Sequence, residues 1–188
     1  MKKQNLEAFW LYCLLVSGKN ADFASNCLSR IMSKVKDGRY FDYFRDLGET
    51  QLRNHLVAWR CGQYQRLTRA ITESLSLDLE TASVETLENI YGVGPKTARF
   101  FVLYTREDAQ VAVLDTHILK WLKAKRPNTP NQYTELERKF LTKCRVHFPG
   151  VSIREVDLLL WSMYSGRLIA DVLPTIPGVS LVAGKEAQ

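Results

Sequence analysis

The run Leu87-Glu-Asn-Ile-Tyr-Gly-Val-Gly-Pro-Lys-Thr-Ala98 constrains this chain more than any other stretch. Val84, Leu87 and Ile90 recur every three residues and predict one buried helical face. Gly92 and Gly94 bracket Val93, so the backbone there can turn tightly or take positive φ without a Cβ penalty. Pro95 suits the first position of a second helix, where its missing N–H costs nothing. The expectation is a helix capped by Ser83, a glycine hairpin, and a helix from Pro95 to about Tyr104. Such a hairpin turns unpaired N–H groups toward an anionic oxygen such as a phosphate. An ordinary joint between two core helices has the same glycines, and G-x-G alone does not separate the two.

Lys96 and Asp115 add chemistry to that frame. A lysine in the first turn of a helix opposes the macrodipole, so its placement needs a reason. Near an apolar wall its amine is a nucleophile; otherwise it is a phosphate clamp or an exposed charge. Asp115 follows the short extended segment Ala112-Val-Leu114 and precedes a helix starting at Thr116. There it serves as an N-cap. From the same position it can orient a nucleophile, take a proton or stabilise a developing cation.

Ile90-Tyr-Gly-Val-Gly-Pro-Lys96 together with Val113-Leu-Asp-Thr-His117 resembles the signature of the helix-hairpin-helix DNA glycosylase superfamily, in its bifunctional lysine branch. Ser17-Gly-Lys-Asn20 and Asp157-Leu-Leu-Leu-Trp161 resemble the archaeal and thermostable 8-oxoguanine glycosylase/AP lyase group. The resemblance covers about residues 6–166. It implies an all-α, two-lobed bundle with the active site in the groove between lobes. Residues 20–110 would form a central lobe with the helix-hairpin-helix at 83–104, and 1–19 with 111–173 a second lobe. The helix ending at Gly166 would pack back on the N-terminal helices, and 174–188 would be a tail.

In chemical terms it implies that Lys96 attacks C1′ of a damaged nucleotide, Asp115 assists, and the strand is cut on the 3′ side. Gly92, Val93 and Gly94 would hold DNA phosphate through their amides, with Arg99 as a further phosphate contact. Lys19 and Asn20 would touch the lesion or the orphaned base. The main-chain carbonyls of Glu88, Ile90 and Val93 match a site for a structural K+ or Na+. The partner would be double-stranded DNA containing a damaged base, 8-oxoguanine in the first instance. Oxidised pyrimidines, and a non-catalytic DNA-binding module, are the alternatives.

Charge agrees with a polyanionic partner. From Lys96 to Arg126, seven basic side chains stand against three acidic ones, so this window carries +4 of the chain's +6. Cys13, Cys27, Cys61 and Cys144 are spaced for neither a zinc module nor a disulfide framework, and Cys144 alone follows Asp115, so no iron–sulfur cluster is expected. His55, His117 and His147 lack zinc-ligand spacing, and His117 reads as structural. Apolar runs are too short for a membrane span and no export leader is evident at Met1–Glu7, so a cytoplasmic monomer is expected.

The remaining helices follow from pattern. Residues 4–17 are apolar all round and predict a buried, central helix ended by Gly18. Asn20 or Asp22 caps a second helix to about Val35. Tyr40, Phe41, Tyr43 and Phe44 belong mostly to the core. Helices are expected at 49–59, 63–76 and 133–147, the last with Tyr133, Leu136, Phe140 and Leu141 inward. Ser152 and Glu155 form a capping box for a helix to Tyr164.

Overall fold

The computed structural model describes residues 3–35 and 37–166; the expected tail at 174–188 and the end of the second lobe lie outside the described residues. Nine α-helices and no strand occur among those residues: α1 Lys3–Val16, α2 Ala21–Lys34, α3 Tyr40–Ala58, α4 Tyr64–Ser74, α5 Val84–Glu88, α6 Pro95–Thr105, α7 Thr116–Leu122, α8 Pro130–His147 and α9 Ile153–Ser165. The all-α expectation holds.

The apolar character of α1 makes it the axis around which the first helices gather. Phe9, Trp10, Leu11, Cys13 and Leu14 are fully buried, and α1 packs on α2, α3, α4 and α6. Burial of one such side chain stabilises by about 1.5–3 kcal/mol. The indole of Trp10 stays paired by donating to Ser74 Oγ at 2.8 Å. Phe101 of α6 seats between Phe9 (centroids 6.0 Å) and Trp10 (5.1 Å, edge-on). These aromatic contacts tie the lysine-bearing helix to the core.

Local chemistry sets the helix ends. Asn20, Ser83, Asp115, Thr129 and Ser152 each cap the helix that follows, and the box between Ser152 and Glu155 forms as expected. Two boundaries differ from the sequence reading. The aromatic stretch after Gly38 is itself helical, because α3 runs from Tyr40 through a kink at Gly48 (φ 69°). Helix α8 starts three residues early because Thr129 and Pro130 make a cap and an N1 position.

Helices α7 and α9 pack against each other, and α9 also touches α6 and α8. The main partner of α9 is α7, and the principal partners of α1 are α2 and α6. Helix α6 bridges both neighbourhoods, with α1 on one side and α9 on the other. No helix among the described residues is long and apolar enough to cross a membrane.

Candidate active site

The hairpin between α5 and α6 uses its glycines for different reasons. Gly92 has φ +73°, and a Cβ there would lie 2.6 Å from Arg66 Cγ, so both backbone sign and packing demand glycine. Gly94 has ordinary extended geometry (φ −101°, ψ 174°), and a Cβ there would meet nothing within 4 Å. Its missing side chain leaves space in front of the N-terminus of α6. That terminus has no side-chain cap, Pro95 sits at N1, and Lys96 follows, exposed. Val93 anchors the turn by its buried side chain, while its amide donates to Ile90 O at 3.0 Å. Of the three amides expected to hold phosphate, the Val93 amide is thus already bonded within the turn.

Asp115 terminates the segment from Val111 and caps α7. Its Oδ1 accepts from His117 N at 2.8 Å and Ile118 N at 2.9 Å. Its Oδ2 makes no hydrogen bond among the described residues. The cap and a chemical role are therefore compatible, one oxygen serving each. His117 packs its ring edge-on against Trp161 at 5.9 Å, and its buried Nδ1 has no hydrogen-bond partner among the described residues.

A second acidic group, to which the sequence pattern assigned no role, carries the charge influence of both Lys96 and Asp115. Asp157 of α9 is buried; its Oδ2 accepts from Tyr104 OH at 2.7 Å, and its buried Oδ1 has no hydrogen-bond partner among the described residues. Burial pushes its carboxyl up to about 7; the Tyr104 hydrogen bond opposes the rise, the Asp115 charge adds to it, and the Lys96 charge opposes it. Lys96 and Asp115 are thus both close enough to one carboxyl to shift its protonation, in opposite directions. The signal was present in the sequence: one aspartate inside the apolar run Val156-Asp-Leu-Leu-Leu160 has to find a partner.

Arg99 is a correction. It was expected on a phosphate, but its side chain is only 12 % exposed and its guanidinium bonds Glu88 and, at 2.8 Å, Glu137 Oε1. It also lies 4.6 Å from the centroid of the Tyr133 ring. Lys19 and Asn20 are exposed in the turn before α2, where Asn20 Oδ1 is spent on Phe23 N and Lys19 lies over Phe23. This turn reaches the hairpin indirectly. Gln63 Nε2 donates to Ser17 O, Arg66 Nε donates to Gln63, and the Arg66 stem packs under Gly92.

Surface depressions lie beside Glu137 and Arg145 and around Asp37–Asp46, and neither includes Lys96 or Asp115. Lys96 is exposed. All four cysteines are buried free thiols, and burial raises Cys61 and Cys144 to about 12. No group of three or more His, Cys, Asp or Glu among the described residues is arranged to hold a metal.

An all-α chain with a glycine hairpin that leads into an uncapped, lysine-bearing helix start, and with an aspartate capping a later helix, has the architecture of the helix-hairpin-helix DNA glycosylases. Solved structures carry the fold. The chain superposes on Methanocaldococcus jannaschii 8-oxoguanine glycosylase/lyase in complex with a 15mer DNA containing 8-oxoguanine, with TM-score 0.66 and 22 % identity over 88 % of this chain and 83 % of that one. It also superposes on the 8-oxoguanine DNA glycosylase of Thermotoga maritima, with TM-score 0.65 and 22 % identity over 88 % and 82 %. No family model matches. In sequence the chain is 31 % identical over 175 residues to the 8-oxoguanine DNA glycosylase/AP lyase of Thermoplasma volcanium, covering 84 % of this chain and 79 % of the relative. The chain belongs to that family, and it is a base-excision DNA glycosylase with AP lyase activity.

Proposed function

We propose that this enzyme removes 8-oxoguanine from double-stranded DNA, with Lys96 as the nucleophile and Asp115 as its partner. The observation that carries the reading is the uncapped, lysine-bearing start of α6 behind the glycine hairpin, together with an Asp115 carboxylate that uses only Oδ1 for the α7 cap. In the proposed reaction the target nucleotide swings out of the stack, at a cost of a few kcal/mol that a lesion lowers. The free Oδ2 of Asp115 takes a proton from the Lys96 ammonium. The amine then attacks C1′; the N–C1′ bond forms as the glycosidic bond breaks, and the base leaves with its electron pair and takes up a proton. Cleavage of the C1′–O4′ bond then opens the sugar ring: O4′ leaves C1′ with the electron pair and is protonated to a C4′ hydroxyl, and the nitrogen forms an iminium at C1′, which acidifies the C2′ proton. Its removal expels the 3′ phosphate.

The start of α6 suits the phosphate next to the extruded nucleotide, since space before Gly94 and the helix dipole both favour an anion. Lys19 and Asn20 remain the proposed contacts at the vacated stack. Arg99 is not in this set. For the alkali cation, Ile90 O already accepts from Val93 N, whereas the carbonyls of Glu88 and Val93 accept no hydrogen bond among the described residues. This oxygen-only set fits K+ or Na+ as a brace for the turn, outside the chemistry.

The test is borohydride trapping on duplexes containing 8-oxoguanine or thymine glycol. We expect a covalent adduct with the 8-oxoguanine duplex that is absent in Lys96→Gln. Trapping on thymine glycol alone would reassign the substrate to oxidised pyrimidines. Trapping by Lys96→Gln at the wild-type rate would remove Lys96 from the mechanism.

A further inference from the structure

The guanidinium of Arg99 joins parts of the chain that no backbone hydrogen bond connects. The segment ahead of Asp115 is extended, and in an extended chain the N–H and C=O of residue i share an edge with those of i+2. Ala112 and Leu114 are such a pair, yet no strand lies beside them. Two side chains of α8, one helical turn apart, take the place of a strand. Tyr133 OH donates to Ala112 O at 2.9 Å and accepts from Leu114 N at 3.1 Å. Glu137 Oε1 accepts from Ala112 N at 2.8 Å. Three backbone groups on one edge are satisfied by two residues.

The same Glu137 Oε1 accepts from Arg99 Nε at 2.8 Å, and Arg99 Nη1 reaches Glu88 at the end of α5 and Pro95 O at 3.4 Å. The Tyr133 ring lies under the guanidinium. Arg99 is one turn along α6 from Lys96. Asp115 is one residue beyond Leu114 and is turned by its own N–H donating to Val113 O at 2.7 Å. One planar cation therefore fixes the hairpin, the lysine helix and the aspartate segment against one another.

We propose that Arg99, acting through Glu137 and Tyr133, is a positioning residue that sets the Lys96–Asp115 geometry. This rests on the reading of Lys96 and Asp115 given above. Arg99 touches neither substrate nor the reacting atoms in this arrangement. Its planar fork reaches two carboxylates at once in a fixed geometry that the point charge of a lysine does not reproduce.

The experiment uses the full chain under single-turnover conditions with excess enzyme, on an 8-oxoguanine duplex. Such a rate constant does not depend on how much protein is folded. Affinity is measured separately by anisotropy on a duplex carrying a tetrahydrofuran abasic analogue. Arg99→Met should slow excision by about 100-fold while affinity stays within about threefold, because misplacement by an ångström costs that much in rate. Arg99→Lys should recover only part of the loss. Tyr133→Phe keeps the ring and removes the bridge, and should cost about tenfold. It also decides the matter if Arg99→Met does not fold.

Wild-type rate constants with only a lower melting temperature would overturn the proposal. So would weakened affinity with a shallower salt dependence and an unchanged saturating rate, which would make Arg99 a phosphate contact. Lys96→Gln run in parallel separates the two ideas. If it traps nothing while Arg99→Met or Tyr133→Phe reacts at full speed, only the positioning role falls. If it still traps, the underlying lysine assignment falls.

Discussion

Two helices begin in this neighbourhood, and they treat their N-termini in opposite ways. Helix α7 seals its first turn with its own anion, two amides converging on Asp115 Oδ1. Helix α6 has no cap, a proline at N1 and an exposed lysine next to it. The dipole of each start favours negative charge. At α7 the protein supplies that charge and fixes a carboxylate oxygen; at α6 no side chain among the described residues supplies it. On the proposed reading, the capping carboxylate serves the Lys96 amine and the open start of α6 seats a DNA phosphate.

The largest effect that can break this contrast lies at the open end. Lys96→Gln keeps the length of the side chain and removes the amine. Borohydride trapping and nicking of an abasic duplex should both fall to background, while DNA affinity changes by less than about tenfold, one charge among several. Retained nicking would mean that α6 offers only an anion seat.

At the sealed end, cap and chemistry can be separated. Asparagine caps about as well as aspartate, so Asp115→Asn should hold its melting temperature while excision slows by about 100-fold. Asp115→Ala should lose the rate and also about 1 kcal/mol of stability. Equal losses of stability in both variants would mean that the carboxylate charge, rather than the cap hydrogen bonds, holds α7.

Asp157, whose protonation both charges bear on, adds a pH dependence. Burial, first of all, lifts its carboxyl to about 7 in the fold, against the usual carboxylate range when unfolded. From about pH 4 to 7 the folded chain binds the extra proton, so stability is highest below that window and falls as pH rises through it. Above pH 7 the whole cost is present. Asp157→Asn, which keeps an acceptor for Tyr104 OH, should flatten this loss. Its stability gain over wild type between pH 5 and pH 8 should be on the order of 2 kcal/mol in denaturant melts. An unchanged slope would mean that the Asp157 carboxyl does not gain its proton on folding.

The sequence disclosed local features best. The hairpin, the Ser83, Asn20 and Asp115 caps and the Ser152–Glu155 box depend on residues three or four apart, and each forms. Pattern could also see that α1 is apolar on every side and must be central. It could not see where Arg99 points. Spacing put Arg99 on the same side as Lys96, yet its partners Glu137 and Tyr133 lie more than thirty residues away, and their attraction decided the rotamer. Asp157, noted as part of a family-like stretch, received no role for the same reason, since its meaning depends on Tyr104, Lys96 and Asp115, all distant in the chain. The helix at Tyr40–Leu47 was obscured because aromatic density carries no period of its own.

The smallest effects come from the glycine pair, and they sharpen the contrast at the open end. Gly92→Ala must hold φ near +73° and drive its Cβ to 2.6 Å from the Arg66 stem. A cost of about 1–2 kcal/mol is expected, read as a lowered melting temperature. Gly94→Ala meets neither strain nor neighbours, so the free protein should lie within about 0.5 kcal/mol of wild type. Its cost should appear only when DNA is present, as a loss of affinity of a few-fold for an abasic-analogue duplex and a shallower salt dependence. Two glycines separated by one residue would then fail in different assays, one in folding and the other in binding. If Gly94→Ala binds DNA as wild type does, the space before α6 is not where the phosphate sits, and the open helix start loses its proposed ligand.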